Sequence, residues 1–207
     1  MRITRTLATC TALLVSATGV SVVMAVGAVG SESAADATKA AKIRNAMSAA
    51  PRSVSGDATI LDYPAKANGD LVTLRKGSNG WTCLPNDPNT PGNDPICADG
   101  QSMKWFDAWF AHAKPHLSAD GFAYMLQGGS DPSNSDPFAT EPAAGEDWMN
   151  VGPHVMVFPK STKSLKGVSR DMDNGGPWKM YGGTPYAHMM IPVTSSHEGM
   201  NGIDVGN

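Results

Sequence analysis

Glycine and proline cut this chain into short pieces. Gly77-Ser78-Asn79-Gly80, Gly128-Gly129, Gly175-Gly176-Pro177 and Gly182-Gly183-Thr184-Pro185 each stand between short apolar runs, as does the Asn68-Gly69 step. Asn-Gly steps and paired glycines reach positive φ at little steric cost, which tight turns between antiparallel strands need. The runs they delimit are strand-like: 58–62, 71–75, 81–84, 122–126, His154–Phe158, 178–181 and 187–193. The first three are expected to form a small antiparallel meander. Two segments read as helices. Residues 37–49 carry a thin stripe of Ala40, Ile43 and Met47, suited to the domain surface, and Pro51 stops them. Residues 102–114 place Phe106, Trp109, Phe110 and Ala113 at helical spacing, with Trp105 widening the apolar face. Core packing is the expected role of those aromatics. The sum is an α+β single domain: a mostly antiparallel sheet with an aromatic-rich helix packed on one face.

The N-terminus has the layout of a secretory signal. Arg2 and Arg5 precede an uncharged run, 6–30, and Ser33-Ala34-Ala35 offers small residues for cleavage after Ala35. Cleavage after Ala28 and an uncleaved anchor are the alternatives, the run being long enough to span a bilayer. Residues 1–35 are thus expected to be the signal and 36–207 the mature domain, with 194–207 a polar, Gly-rich mobile tail. The expected location is outside the cytoplasm, with no membrane span after cleavage. Removing the signal removes Cys10 and leaves Cys83 and Cys97, which pair most simply in an exported protein. Their bridge would close a loop holding Pro85, Pro88, Pro91 and Pro95, with an entropic stabilisation of roughly 3 kcal/mol.

Residues 36–207 carry a mild acidic excess with no block of either sign, which disfavours nucleic acid as a partner. The chain lacks a dinucleotide-binding Gly-x-Gly-x-x-Gly, a phosphate-binding Gly-rich loop, His-Glu-x-x-His, Gly-x-Ser-x-Gly and Cys-x-x-Cys. Those absences exclude several enzyme families without excluding catalysis.

Histidines and one loop carry the remaining chemistry. His112 and His116 have the spacing of a helical metal pair, but Pro115 pushes its neighbour out of helical geometry. His197 lies beside Glu198 in the tail. His154 and His188 each open an apolar strand. Alternation would place His154, Met156 and Phe158 on one face of their strand, and likewise Tyr186, His188 and Met190 on one face of theirs. If those strands pair, two imidazoles and two thioethers converge, a ligand set suited to copper, with zinc as the other candidate. The competing reading is core packing by Met and a locally hydrogen-bonded His. A further alternative makes one His a general base with Asp131, Asp136 or Glu146 as orienting carboxylate. The loop Asp131-Pro132-Ser133-Asn134-Ser135-Asp136 offers oxygen ligands for calcium, although the same residues serve any turn. Gln127, Gly128 and Gly129 before it could bring backbone N–H groups to a ligand. The expected ligand-binding residues are therefore Gln127, Gly128, Gly129, Asp131 and Asp136.

The phrases Met125-Leu126-Gln127-Gly128-Gly129-Ser130-Asp131, Asn134-Ser135-Asp136-Pro137-Phe138-Ala139-Thr140, Gly152-Pro153-His154 and Gly183-Thr184-Pro185-Tyr186-Ala187-His188 resemble those of a group of bacterial exported proteins. That resemblance implies a bacterial, secreted or periplasmic protein and supplies no catalytic residue. The leading expectation is an envelope protein that binds a small molecule or ion. The alternatives are a hydrolase using a His and a carboxylate near the 127–136 loop, and a non-catalytic interaction module. Binding and catalysis both require a concave pocket, whereas an interaction module requires an exposed apolar patch.

Overall fold

Asp99 begins the element on which half the core is built. In the computed structural model, which describes residues 34–66 and 69–193, its carboxylate accepts the backbone N–H groups of Gln101 at 3.0 Å and Ser102 at 2.8 Å. Its second oxygen accepts Phe122 N–H at 3.0 Å, so one side chain caps a helix and ties it to a strand. The expected signal (1–35) and the tail (194–207) lie outside the described residues, apart from Ala34 and Ala35.

In chain order the elements are α1 (Ala34–Met47), α2 (Arg52–Ser55), β1 (Thr59–Asp62), β2 (Val72–Arg75), β3 (Thr82–Leu84), β4 (Ile96–Ala98) and α3 (Gly100–Phe110). They continue with β5 (Gly121–Met125), β6 (Gly129–Asp131), β7 (Met149–Val151), β8 (His154–Phe158), β9 (Trp178–Met180) and β10 (His188–Pro192). Eight strands form one sheet in the order β2-β1-β3-β4-β5-β8-β10-β9, and β6 with β7 forms a separate two-stranded ribbon. All neighbours are antiparallel except β1 and β3. This is an α+β domain whose sheet is mostly antiparallel, with the aromatic helix α3 on one face.

Alternation along the strands assigns the two faces. Ala98, opposite Ala123, points to the α3 side, as do Met156 and Phe158 of β8 and Met190 of β10. Cys97, opposite Tyr124, points to the other side, where it joins Ile60, Cys83 and the α1–α2 residues Ala46, Ala49 and Ala50. The two helices therefore cover opposite faces of different parts of the sheet. The Cys83–Cys97 disulfide links directly opposed residues of β3 and β4, with Cα atoms 4.0 Å apart, and closes the expected proline loop. The outer face of β5, β8 and β10 is apolar and only partly covered: Phe122, Val157 and Met189 lie side by side, as do Tyr124, Val155 and Ile191.

Trp105 is the hub of the larger core. It is 3% exposed, with ring centroids 4.6 Å from Phe158, 5.9 Å from Tyr186 and 5.3 Å from His188. Gly121 allows this approach: a Cβ there would stand 2.6 Å from Ser102 N and 2.7 Å from its Oγ.

Several expectations are corrected. The first three strands are not a meander, because β3 passes to the far side of β1 and runs parallel to it, leaving β2 at the edge. The helix α3 ends at Phe110, four residues early, and His112 turns the chain with φ of 52°. Its buried stripe centres on Ser102 and Trp105, so Phe106 and Trp109 are half-buried and Phe110 is 63% exposed. His112 and His116 accordingly share no helix. The strands β4, β6 and β7 and the turn helix α2 had no counterpart in the expected element set.

Candidate functional site

The Gly128-Gly129 turn lies where it was expected to matter. Gly128 has φ of 82°, and its backbone N–H donates to Met125 O at 3.0 Å, turning β5 into β6. The preceding residues are anchored to the other half of the molecule. Leu126 N–H donates to Ala49 O at 3.0 Å, and Gln127 Nε2 donates to Ser48 O at 3.2 Å.

A cleft of about 260 Å³ opens between this ribbon and the disulfide-closed loop. Pro91, Gly92 and Asp94 form one wall, Gln127, Gly129 and Ser130 another, and Trp148, Met149 and Asn150 the third. Asp94 is a buried carboxylate held in place by Ser130, whose Oγ donates to it at 3.0 Å while accepting Gly92 N–H at 3.1 Å. The backbone N–H of Asp94 donates to Asn86 Oδ1 at 2.8 Å, and Asn86 N–H donates to Asn45 Oδ1 at 2.7 Å. Asn45 Nδ2 also donates to Asn93 Oδ1 at 2.9 Å, so α1 holds both ends of the acidic loop.

Asp131 follows on the ribbon. Burial, then the charge of Asp94, pushes its carboxyl up to about 7, against a hydrogen bond from Tyr181 that lowers it. Tyr181 has φ of 51°, and its phenol is pushed upward by burial and then by the charges of Asp131 and Asp136. Tyr63 on the far side is pushed upward as well, by burial and then by Asp87, Asp94 and Asp62. The region around Asp94 is thus strongly negative. Among the described residues neither Asp94 nor Asp131 has an ion-pair partner.

Of the expected ligand-binding residues, Gln127 and Gly129 line the cleft, and Gly128 makes the turn beneath it. Asp131 lies behind the wall with Tyr181, and Asp136 lies farther along the chain, where its Oδ1 accepts Phe138 N–H at 2.9 Å. The loop considered for calcium is a series of side-chain-closed turns: Ser133 Oγ accepts Ser135 N–H and Asp136 N–H at 3.2 and 3.0 Å. The loop then ties the end of β9 to the C-terminal end of α3. Asn134 O accepts Tyr181 N–H at 2.8 Å, Pro137 O accepts Trp109 Nε1 at 2.6 Å, and Phe138 stacks on His112 at 4.1 Å.

No protein family, curated protein or solved structure matches. The site therefore has to be read from its own chemistry.

The strands β8 and β10 do pair, with Met156 opposite Met190 and His154 opposite Pro192. His154, His188, Met156 and Met190 share the inner face, with the imidazoles at diagonal corners and the thioethers between them. His154 Nδ1 donates to Gly152 O at 2.7 Å, and His188 Nδ1 donates to Tyr186 O at 3.0 Å. A carbonyl only accepts, so each Nδ1 carries the proton and each Nε2 the lone pair. Burial lowers both imidazoles to about 4, opposed by these hydrogen bonds, and the His154 charge lowers His188 further. His188 is packed among rings, 4.9 Å from Phe158 and 5.4 Å from Tyr181 by centroid. Neither histidine is hydrogen-bonded to a carboxylate through Nδ1, the arrangement that orients a general base. Among the described residues no group of three or more His, Cys, Asp or Glu is placed to hold a metal ion, and no helix is long and apolar enough to cross a membrane.

Sequence reasoning missed Asp94, Ser130, Trp148 and Tyr181. Asp94 had a usable signal: an acidic residue inside a proline-rich loop closed by a disulfide is held close to whatever that loop packs on. Tyr181 had none, because its contact with Asp131 spans 50 residues.

Proposed function

We propose that this protein is an exported bacterial domain that binds a small polar ligand in the cleft between the disulfide loop and the β6–β7 ribbon. The observation that carries this reading is Asp94: a buried carboxylate on a cleft wall with no cation beside it among the described residues. A buried carboxylate is costly unless hydrogen-bond donors or a positive charge satisfy it. Ser130 supplies part of that through its hydroxyl, and a ligand amine or hydroxyl supplies the rest. Trp148 offers the same ligand an apolar surface. The volume lies below the usual range for drug-sized ligands, which suits a metabolite such as an amino acid, an amino alcohol or a single sugar ring.

The test is a thermal-shift screen of amines, amino acids and monosaccharides against wild type and Asp94→Asn. A compound that stabilises wild type by linkage and leaves Asp94→Asn unmoved supports the reading. The reading fails if no compound of these classes stabilises the protein, or if every stabiliser acts equally on the variant.

A second reading has its own observation. The half-covered apolar strip of Phe122, Tyr124, Val155, Val157, Met189 and Ile191 on the outer face suits an envelope interaction module. Sedimentation of wild type against Phe122→Lys addresses it, since a self-associating strip would lose its concentration-dependent mass in the variant.

A further inference from the structure

The inner face of β5, β8 and β10 is apolar except at His154 and His188, and one atom there lacks a partner among the described residues. His154 Nε2 is fully buried and receives no hydrogen bond from any of them. The Gly152 carbonyl fixes the proton on Nδ1, so the unpartnered atom is a lone pair, aimed into the core. Leaving a buried acceptor unmet costs about 1–3 kcal/mol, and such an atom in a folded protein calls for an explanation, a bound ion among them.

Its neighbours are thioethers. Met125 stands directly opposite His154 across the β5–β8 pair. Met156 is the next residue of β8 on the same face, and Met190 is opposite Met156 on β10. Met156 and Met190 are buried, and Met125 packs against the same cluster. None of these side chains can donate a hydrogen bond to imidazole, so packing alone leaves Nε2 unmet. One neutral imidazole nitrogen and several thioether sulfurs form a soft, uncharged ligand set, which selects Cu(I) over Zn(II), Mg(II) or Ca(II). The backbone carbonyl on the far ring nitrogen is the support that metal-bound histidines characteristically have. His188 drops out of this set, because its ring is engaged by Phe158, Trp105 and Tyr181.

The cleft and this cluster also share a wall. Met149 lines the cleft and also packs against the core cluster that holds Met125, Met156 and Met190. The Met125 methyl lies against Gly129, 2.8 Å from where a Cβ would stand, so it abuts the cleft wall from behind.

We propose that His154 Nε2 and the thioethers of Met125, Met156 and Met190 bind one Cu(I) ion beneath the cleft. The site stands apart from the cleft reading, since it uses neither Asp94 nor Trp148.

The test uses the full chain with its disulfide intact and Cys10→Ser as background, which removes the one thiol outside the bridge. Cu(I) is titrated without oxygen against a colorimetric chelator, and Ag(I) uptake is read by native mass spectrometry. The expected result is one equivalent of either ion and no uptake of Zn(II). A Met156→Leu, Met190→Leu variant keeps apolar volume and should weaken binding by at least about tenfold, as disturbed metal shells do. If that variant does not fold, Met125→Leu decides at the rim of the site, where weakened binding supports the proposal and unchanged binding overturns it. Absence of stoichiometric Cu(I) and Ag(I) binding, uptake of Zn(II) at equal affinity, or full affinity in the folded double variant would each overturn it.

Discussion

Asp131 makes the stability of this domain depend on pH in an unusual direction, and Asp131→Asn exposes it. The folded carboxyl titrates near 7 against 3.8 for the free side chain. Between those values the folded state holds a proton that the unfolded state has released. Stability therefore falls as pH rises from about 4 to about 7 and stays reduced above that. A shift of three units corresponds to about 4 kcal/mol at 1.36 kcal/mol per unit. Asp131 retains some surface, and water there screens the charge, so about 2–4 kcal/mol is the working range. Asparagine keeps the shape, and its oxygen still accepts the Tyr181 hydroxyl. The variant should therefore be more stable than wild type by about 2–4 kcal/mol at pH 8, narrowing to about 1.5 kcal/mol at pH 5.

The assay is urea unfolding followed by tryptophan fluorescence at several pH values, compared at constant m-value. The histidines act in the opposite sense in both proteins. His154 and His188 are depressed to about 4 from 6.5, so their contribution is complete above 6.5 and is lost as pH falls toward 4. Subtracting the variant from wild type cancels that limb and leaves Asp131 alone. A difference that is the same at pH 5 and pH 8, or a variant less stable at both, would refute the assignment of an uncompensated carboxylate.

The remaining perturbations test the core and the staple. Trp105→Ala removes the hub of the aromatic cluster and should cost about 3–5 kcal/mol by chemical denaturation, whereas Phe110→Ser on the exposed side of the same helix should stay within about 0.5 kcal/mol of wild type. Gly121→Ala drives a methyl onto the backbone of Ser102 and should lower the thermal midpoint by more than the neighbouring Phe122→Ala does. Cys83→Ser with Cys97→Ser should cost about 3 kcal/mol, measured as a drop in the urea midpoint without loss of β-sheet circular dichroism.

The parts of the fold legible in the sequence were those whose pattern is local. The strand β8 falls where the run His154–Phe158 predicts it, since a short run rich in Val, Met and Phe and closed by proline has few other readings. The disulfide followed from counting, and the helix α3 from its period. The stripe on α3 was misassigned by about one residue, because the adjacent pairs Trp105-Phe106 and Trp109-Phe110 admit two faces, and Gly121 selects the one containing Ser102 and Trp105. The parallel pairing of β1 with β3 had no local signal, since the glycine-rich turn between β2 and β3 suits a hairpin and only tertiary packing sends β3 past β1. The strands β4, β6 and β7 are three residues each, too short for any period to register. For the site, the turn at Gly128-Gly129 was legible and its partner wall was not, because Asp94 arrives from a loop with no pattern of its own.

That loop connects the staple to the cleft. Residues 85–95 have no strand or helix of their own, yet the loop supplies Asp94 to the cleft wall and fixes it from three sides. Cys83–Cys97 closes its base, Asn45 of α1 grips it through Asn86 and Asn93, and Ser130 meets its acidic tip. A carboxylate held this way cannot swing into solvent to relieve the repulsion that Asp131 and Tyr63 register. An unconstrained loop would relax outward, hydrate Asp94 and empty the cleft wall of its charge. The disulfide therefore acts on the site as much as on stability, by keeping a charge where a free chain would not leave it. Reduction should accordingly lower the Asp131 titration toward the ordinary carboxylate range before the sheet unfolds, because the Asp94 charge that helps to raise it would have moved away. A side-chain carboxyl titration followed by NMR in the oxidised and reduced protein separates the two cases. An Asp131 midpoint unchanged by reduction would show that the bridge holds only the strands and that Asp94 keeps its place through Asn45 and Ser130 alone.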